Sequence, residues 1–170
     1  MILVIMGVTA SGKTTVGKLL AAQTGWQFAE GDDFHSEANR SKMHRGIPLN
    51  DEDRAPWLAS MHSLLLGWHQ NGTSGILACS ALKQSYRTIL SEQIPSAEIR
   101  FVLLEVPREV LEDRLRQRKG HYMNPDLLQS QLDILEMPSC AIMVSADKQP
   151  HAIVEEILGQ LAAKAEKAAP

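Results

Sequence analysis

Apolar and polar positions follow two rhythms along this chain, and the rhythms lay out its elements. Ile2 to Met6 is an uninterrupted β-rich apolar run, the pattern of a strand covered on both faces. Lys13 to Thr24 places Val16, Leu19, Leu20 and Gln23 on one side of a helix, and Gly25 is its stop. Trp26 to Ala29 reads as a weaker strand that empties into the acidic turn Glu30-Gly31-Asp32-Asp33. Residues 34–50 are polar and broken by Gly46 and Pro48, which predicts mainly irregular chain with one or two helical turns. Asn50 caps a strong helix in which Leu58, Met61, Leu65 and Trp68 recur at helical spacing until Asn71-Gly72. Ile76 to Cys79 is a third strand and Gln84 to Glu92 a helix. Arg100 to Val106 is a fourth strand, and Pro107 opens a helix to about Lys119 with Val110, Leu111 and Leu115 inward. A helix over Leu127 to Leu135, a fifth strand over Ala141 to Ser145 and a last helix from His151 to about Lys167 complete the reading.

Strands that alternate with helices predict an α/β architecture: a parallel sheet with helices on both faces. With 170 residues, no internal repeat and no linker, the chain reads as one domain over residues 1–170. Seventeen Lys and Arg stand against 20 Asp and Glu, a net charge of −3. That balance argues against nucleic acid or an anionic membrane as partner. No apolar run reaches spanning length, and Ile2 to Met6 is too short for the core of a secretion signal, so the expected address is the cytoplasm. Cys79 and Cys140 sit in apolar runs and read as small buried hydrophobes rather than a disulfide or metal ligands. The six histidines show no spacing that shares a zinc ion.

Directly after the first strand stands Gly7-Val8-Thr9-Ala10-Ser11-Gly12-Lys13-Thr14, a full match to G-x-x-x-x-G-K-[ST]. The glycines let the backbone curl so that successive N–H groups point at phosphate oxygens, and the following helix aims its positive end at the same place. Lys13 reaches the β- and γ-phosphates, and the Thr14 hydroxyl ligates Mg²⁺ that arrives with ATP. The pattern occurs by chance in on the order of 1% of chains this long, and here it also lies between a strand and a helix. It marks a nucleoside-triphosphate site, with Gly7 to Thr15 as its cradle.

The rest of the chain narrows the chemistry. No Asn-Lys-x-Asp string specifies guanine, and the third strand ends Ala78-Cys79-Ser80 without the acid of a motor ATPase. The acids stand instead after the second strand, at Asp32 and Asp33, where strand ends border the ligand crevice of an open parallel sheet. An aspartate there orients or deprotonates an attacking hydroxyl; the plainer reading is an Asx turn. Arg114 and Arg118 fall one helical turn apart, ahead of Lys119-Gly120-His121. They fit either a charged lid over the γ-phosphate or a solvated basic face. His35, Lys42, Arg54, Lys83 and Arg87 are candidate grips for a carboxylate and hydroxyls.

Together these strings resemble a known family. Gly31-Asp32-Asp33-Phe34-His35, then Asn39, Lys42-Met43, Gly46, Pro48-Leu49, Asp51, Asp53-Arg54 and Pro56-Trp57-Leu58, are similar to the small phosphate-loop gluconokinases. So are Ala78-Cys79-Ser80-Ala81-Leu82-Lys83, Tyr86-Arg87, Gly120-His121, Ser130-Gln131 and Leu135-Glu136. The resemblance implies a three-layer P-loop fold like that of shikimate and nucleoside monophosphate kinases, with sheet order 2-3-1-4-5. It also implies a substrate insertion over about 34–56 and a small lid over about 117–126. The implied reaction phosphorylates D-gluconate with ATP, and the implied assembly is a homodimer. By the same resemblance Asp32 contacts the accepting hydroxyl and Arg54 the sugar acid. Lys83 and Arg87 hold its carboxylate or hydroxyls, with His35, Lys42 and His121 in the same acceptor site. Arg114 and Arg118 serve adenine and phosphates, and Gln149 borders the adenine. One departure is Ser36, where the family usually has proline; losing a fixed φ loosens that segment slightly. A shikimate or other small-metabolite kinase and a non-catalytic ATP-sensing module remain the competing readings. The glycine-rich string that shikimate kinases carry after the third strand is absent here.

Overall fold

β1 (Ile2–Met6) is the axis around which the sheet is built. Every one of its side chains is 1% exposed or less, as an all-apolar run between two helical layers requires. The computed structural model describes residues 1–117 and 125–168, with side chains for all of these but 125–126 and 164–168. The other strands are β2 (Gln27–Glu30), β3 (Gly75–Ala78), β4 (Ile99–Glu105) and β5 (Ile142–Ser145), and all pair in parallel in the order β2-β3-β1-β4-β5. The α/β class and the strand order are those expected.

The two faces of β1 feed different cores. Ile2, Val4 and Met6 pack with Trp57, Met61, Leu65 and Trp68 of α3 (Asp51–Gln70) and Tyr86 and Leu90 of α4 (Gln84–Ser91). Leu3 and Ile5 pack with Val16 and Leu20 of α1 (Lys13–Thr24) and with Ile153, Val154 and Ile157 of α7 (Pro150–Ala168). A third, smaller cluster joins Val8 and Ala10 to Leu82, to Leu111 of α5 (Arg108–Gln117) and to Leu128 of α6 (Pro125–Ile134). It seats two helices on the loop that leaves β1. Among the described residues no helix is long and apolar enough to cross a membrane.

Local chemistry explains most boundaries. The Asn50 side chain accepts from Asp53 N–H while the Asp53 carboxylate accepts from Asn50 N–H, a reciprocal cap that starts α3. Gly25 ends α1 in a left-handed conformation and returns its N–H to Ala21 O. The polar stretch after the acidic turn forms α2 (Glu37–His44), two turns of helix within the expected irregular segment. Ser36 accepts from Asn39 N–H at 3.2 Å and so caps α2, which proline cannot do.

Three expectations need correction. β2 begins at Gln27 and not at Trp26, because the Trp26 amide donates to Thr24 Oγ1. Gln23 is exposed: it lies in the last turn of α1, beyond the stripe of Val16, Gly17 and Leu20. Cys140 is exposed as well, since it sits in the turn before β5 and not within the strand, whereas Cys79 is buried.

The core reading makes a direct forecast. Leu65 is fully buried, so Leu65→Ala is expected to cost about 2–5 kcal/mol and lower the melting temperature by roughly 5–15 °C. An exposed change such as Gln23→Ala is expected to stay within about 0.5 kcal/mol of the parent. Thermal denaturation followed by circular dichroism checks both, and an unmoved Leu65→Ala transition would contradict this packing.

Candidate active site

β1 hands over to the phosphate loop at Gly7, whose φ of 143° and close neighbours leave no room for a side chain. A Cβ there would stand 2.9 Å from Ser11 Oγ and 3.1 Å from the Leu104 carbonyl. Gly12 and Ala10 also hold positive φ, 98° and 61°. For Ala10 that backbone costs on the order of 1–2 kcal/mol, a strain the surrounding loop has to absorb. Gly12 stands at the N-cap of α1 and has no side chain to occupy the free N–H groups of the first turn. Ser11 Oγ is buried without a partner among the described residues. Lys13 curls back to donate to Val8 O at 2.9 Å, while Thr14 and Thr15 are exposed at the same helix end. Open amides, a flexible ammonium and an exposed hydroxyl make a cradle suited to phosphate and to a hard cation.

A cleft of about 530 Å³ opens beside the loop, lined by Ala10 to Gly12, Arg114, Gln117 and the segment Asp147 to Pro150 after β5. Arg114 donates to Ala10 O at 3.2 Å and to Ala146 O at 2.7 Å, and so laces the loop to the end of β5. Gln149 lies on the cleft wall. Arg118 and His121, with most of the expected lid, lie outside the described residues.

On the other side of the loop is the acidic turn, a single 3-10 turn over Gly31–Phe34. Gly31 is pressed against β3: a Cβ would meet Ala78 O and Cys79 Cβ, each at 2.7 Å. Trp57 Nε1 donates to Gly31 O at 2.7 Å, and the Trp57 ring stacks on His35 with centroids 4.6 Å apart and planes 6° from parallel. Asp32 and Asp33 are exposed at the crevice. His35 is 8% exposed and its Nδ1 has no partner among the described residues. Burial pushes its pKa below the usual 6.5, against the pull of Asp32, with Arg54 and Arg40 adding to the depression. Burial pushes the Cys79 thiol up to about 12; Lys13, Asp32 and Glu30 are the charges that act on it, which brings the phosphate-loop lysine and the acidic turn to one place. The thiol itself stays protonated and is a packing group.

The candidate acceptor grips separate into two kinds. Lys42 pairs with Asp53 at 2.6 Å, and Lys83 Nζ makes two 2.8 Å bonds to the Asp51 carboxylate. Arg54 lies over the Tyr86 ring, 5.5 Å from its centroid. These cations stand on α2, on α3 and at the end of the loop after β3. Arg87 is different. It is 3% exposed, and its guanidinium donates to Ala81 O, Leu82 O, Gln84 Oε1 and Glu136 O, using all five N–H groups within the chain. In this conformation Arg87 holds the loop that presents Lys83 and offers no donor to a substrate.

Several site residues carried no assigned role in the sequence. Gln131 Oε1 accepts from the Thr9 amide of the phosphate loop at 2.6 Å, across 122 positions of sequence. Glu136 bonds Gln84 N–H through its carboxylate at 2.5 Å and Leu82 O through its own amide at 2.9 Å. Trp57 stands in the sequence only as part of a family string, and its N–H on Gly31 O shows what it does. Only the spacing of the strings that hold these residues hinted at them, because each acts through a partner far away in sequence.

Comparison with known proteins agrees with this geometry. The model of the AAA domain family matches residues 2–137. A probable gluconokinase of Rattus norvegicus is 45% identical, with 94% of this chain and 97% of the relative covered. A gluconokinase of Gluconobacter oxydans is 46% identical over 92% of this chain and 88% of its own. Among solved structures, a gluconokinase from Sinorhizobium meliloti superposes with a TM-score of 0.87 at 41% identity, covering 97% of this chain and 93% of that one.

The charges in the site set two pH windows. The folded state holds His35 neutral while the unfolded chain takes up a proton near 6.5, so this site's contribution is complete above pH 6.5 and is lost as the pH falls below it. Asp51 is held below 3.8 by its bonds from Lys83 and Tyr86, and Asp53 by its bond from Lys42. Their contribution is complete above 3.8 and disappears as the pH falls through the lowered values. Melting temperatures between pH 7.5 and 5.5 are therefore expected to fall in the parent and to fall less in His35→Phe, which keeps the stack on Trp57. Parallel slopes for the two proteins would count against the buried neutral imidazole.

Proposed function

The chain belongs to the AAA domain family that its residues 2–137 match and, within it, to the gluconokinases, and we propose that it transfers the γ-phosphoryl group of ATP to the primary hydroxyl of D-gluconate. The products are ADP and 6-phospho-D-gluconate. The observation that carries the reading is the placement of the acidic turn. Gly31 is seated against the end of β3, the Gly7 amide bonds Ser80 O in the next loop, and the charge of Asp32 acts together with that of Lys13 on Cys79 and with that of Arg54 on His35, which supports a place for Asp32 between the two.

In this mechanism the phosphate loop from Gly7 to Thr15 cradles the triphosphate, chiefly through the open amides at the N-terminus of α1, and Lys13 follows the charge on the moving phosphoryl group. Arg114 and Gln149 bound the nucleotide cleft, and Arg118 belongs to the same charge-offsetting set. Thr14 would hold the Mg²⁺ that arrives with the nucleotide, and that ion would offset phosphate charge. Asp32 aligns the acceptor hydroxyl with the γ-phosphate and takes its proton as the new O–P bond forms and the bond to the β-phosphate oxygen breaks. His35, Lys42, Arg54, Lys83 and His121 make up the acceptor side. Arg87 serves that side indirectly, by holding the Lys83 loop. A homodimer belongs to the same proposal on the strength of the family resemblance, and a cytoplasmic address on the sequence expectation above.

The test is ADP release from Mg-ATP with gluconate, shikimate, AMP or no acceptor. Stimulation by gluconate alone is expected. Stimulation by another acceptor, or ATP binding without any stimulation, would overturn the reading. Asp32→Asn is expected to lower kcat by about 10²–10⁴-fold while the KM for ATP stays within about threefold of the parent, since the phosphate loop is untouched. Unchanged turnover would remove Asp32 from the reaction.

A further inference from the structure

α3 and α4 meet, and one side chain connects the charges between them. Tyr86, in the first turn of α4, is 3% exposed and donates its hydroxyl to Asp51 Oδ1. Its ring centroid lies 5.5 Å from the Arg54 guanidinium carbon and 5.4 Å from Lys83 Nζ, both inside the range at which a cation feels the ring quadrupole. Asp51 in turn accepts both bonds from Lys83. With Lys42 paired to Asp53, this group holds three cations against two carboxylates. Within this group the cation that forms no ion pair among the described residues is Arg54, although its charge also acts on Asp51 and Asp53. Its one hydrogen bond there runs from Nε to Leu49 O at 3.2 Å, which leaves the terminal nitrogens of its fork open. Within these five side chains one positive charge, that of Arg54, is not matched by an ion pair. A single carboxylate matches it, and a planar guanidinium is the group that binds one with two parallel bonds.

We propose that Tyr86 is a positioning residue for the acceptor: its ring and hydroxyl hold Arg54 and Lys83 together as the pair that receives the acceptor's carboxylate. The inference rests on the sugar-acid kinase reading above and extends it to a residue that need not touch the substrate. The ring fixes where the two cations stand, and the hydroxyl holds Asp51, which anchors Lys83. The bond from Asp51 keeps the Lys83 pKa above its usual value, and burial together with Asp51 keeps the phenol protonated, so both remain donors through neutral pH. The acceptor carboxylate then shares Lys83 with Asp51 and takes the open fork of Arg54.

Steady-state kinetics of the full chain with Mg-ATP and gluconate test this with two variants. Tyr86→Leu removes ring and hydroxyl and is expected to raise the KM for gluconate roughly tenfold or more. Tyr86→Phe keeps the ring and is expected to raise it about threefold. For both, kcat and the KM for ATP are expected to stay within about threefold of the parent. A gluconate KM unmoved in both variants would overturn the proposal. So would kcat and the KM for ATP moving as far as the gluconate KM, because that is the mark of a merely structural tyrosine. Should Tyr86→Leu fail to fold, as its melting curve would show, Tyr86→Phe decides alone. A parent enzyme that turns over no gluconate overturns the kinase reading and this inference together; an active parent with unshifted variants overturns only the inference.

Discussion

The close approach of the acidic turn to the end of β3 is the constraint on which the site depends. Gly31 sits where any Cβ would press on Ala78 O and Cys79 Cβ, and the Trp57 N–H holds its carbonyl from the opposite side. An ångström of slack there would carry Asp32 away from the phosphate loop, and reaction geometry tolerates little displacement. The neighbouring edge is tied in the same manner, by the Gly7 amide on Ser80 O. Three strand ends are thus locked side by side, and their loops bring the phosphate cradle, the candidate proton acceptor and the candidate carboxylate grips into one crevice, as an open parallel sheet favours.

Charge is arranged around that crevice by the same economy of partners. Lys42 and Lys83 have carboxylates of their own, Arg54 forms no ion pair among the described residues, and His35 is kept neutral by burial against Trp57. Arg87, the most deeply buried cation of the set, spends its donors on carbonyls and Gln84 and so stiffens the loop on which Lys83 stands. Gln131 and Glu136 extend the bracing from α6 to the phosphate loop and to the loop after β3. Most of these contacts are hydrogen bonds to backbone, which fix loop positions more firmly than exposed ion pairs do.

Much of this could be read from residues in order. The apolar run of β1, the helical stripe Leu58, Met61, Leu65 and Trp68, the Asn50 cap and the phosphate loop are local patterns, and each appears where it was expected. Periodicity shows which side of α1 Gln23 takes but not how far the packing reaches along that helix, and the apolar run around Cys140 does not show where β5 begins. The bonds from Trp57 to Gly31, from Gln131 to Thr9 and from Tyr86 to Asp51 were illegible for a different reason. Each joins residues 26, 122 and 35 positions apart, and only the folded topology brings such pairs together. Arg87 shows the same limit in reverse: its residue type suited a ligand grip, while its burial makes it a brace.

The central claim is that the crevice presents the primary hydroxyl of a sugar acid to the γ-phosphate beside Asp32. Phosphorus and carbon NMR of the product formed from Mg-ATP and uniformly ¹³C-labelled gluconate tests it most directly. The account predicts a single phosphomonoester whose phosphorus couples to C6 and C5. A phosphate on any other carbon, or inorganic phosphate as the only product, would contradict it.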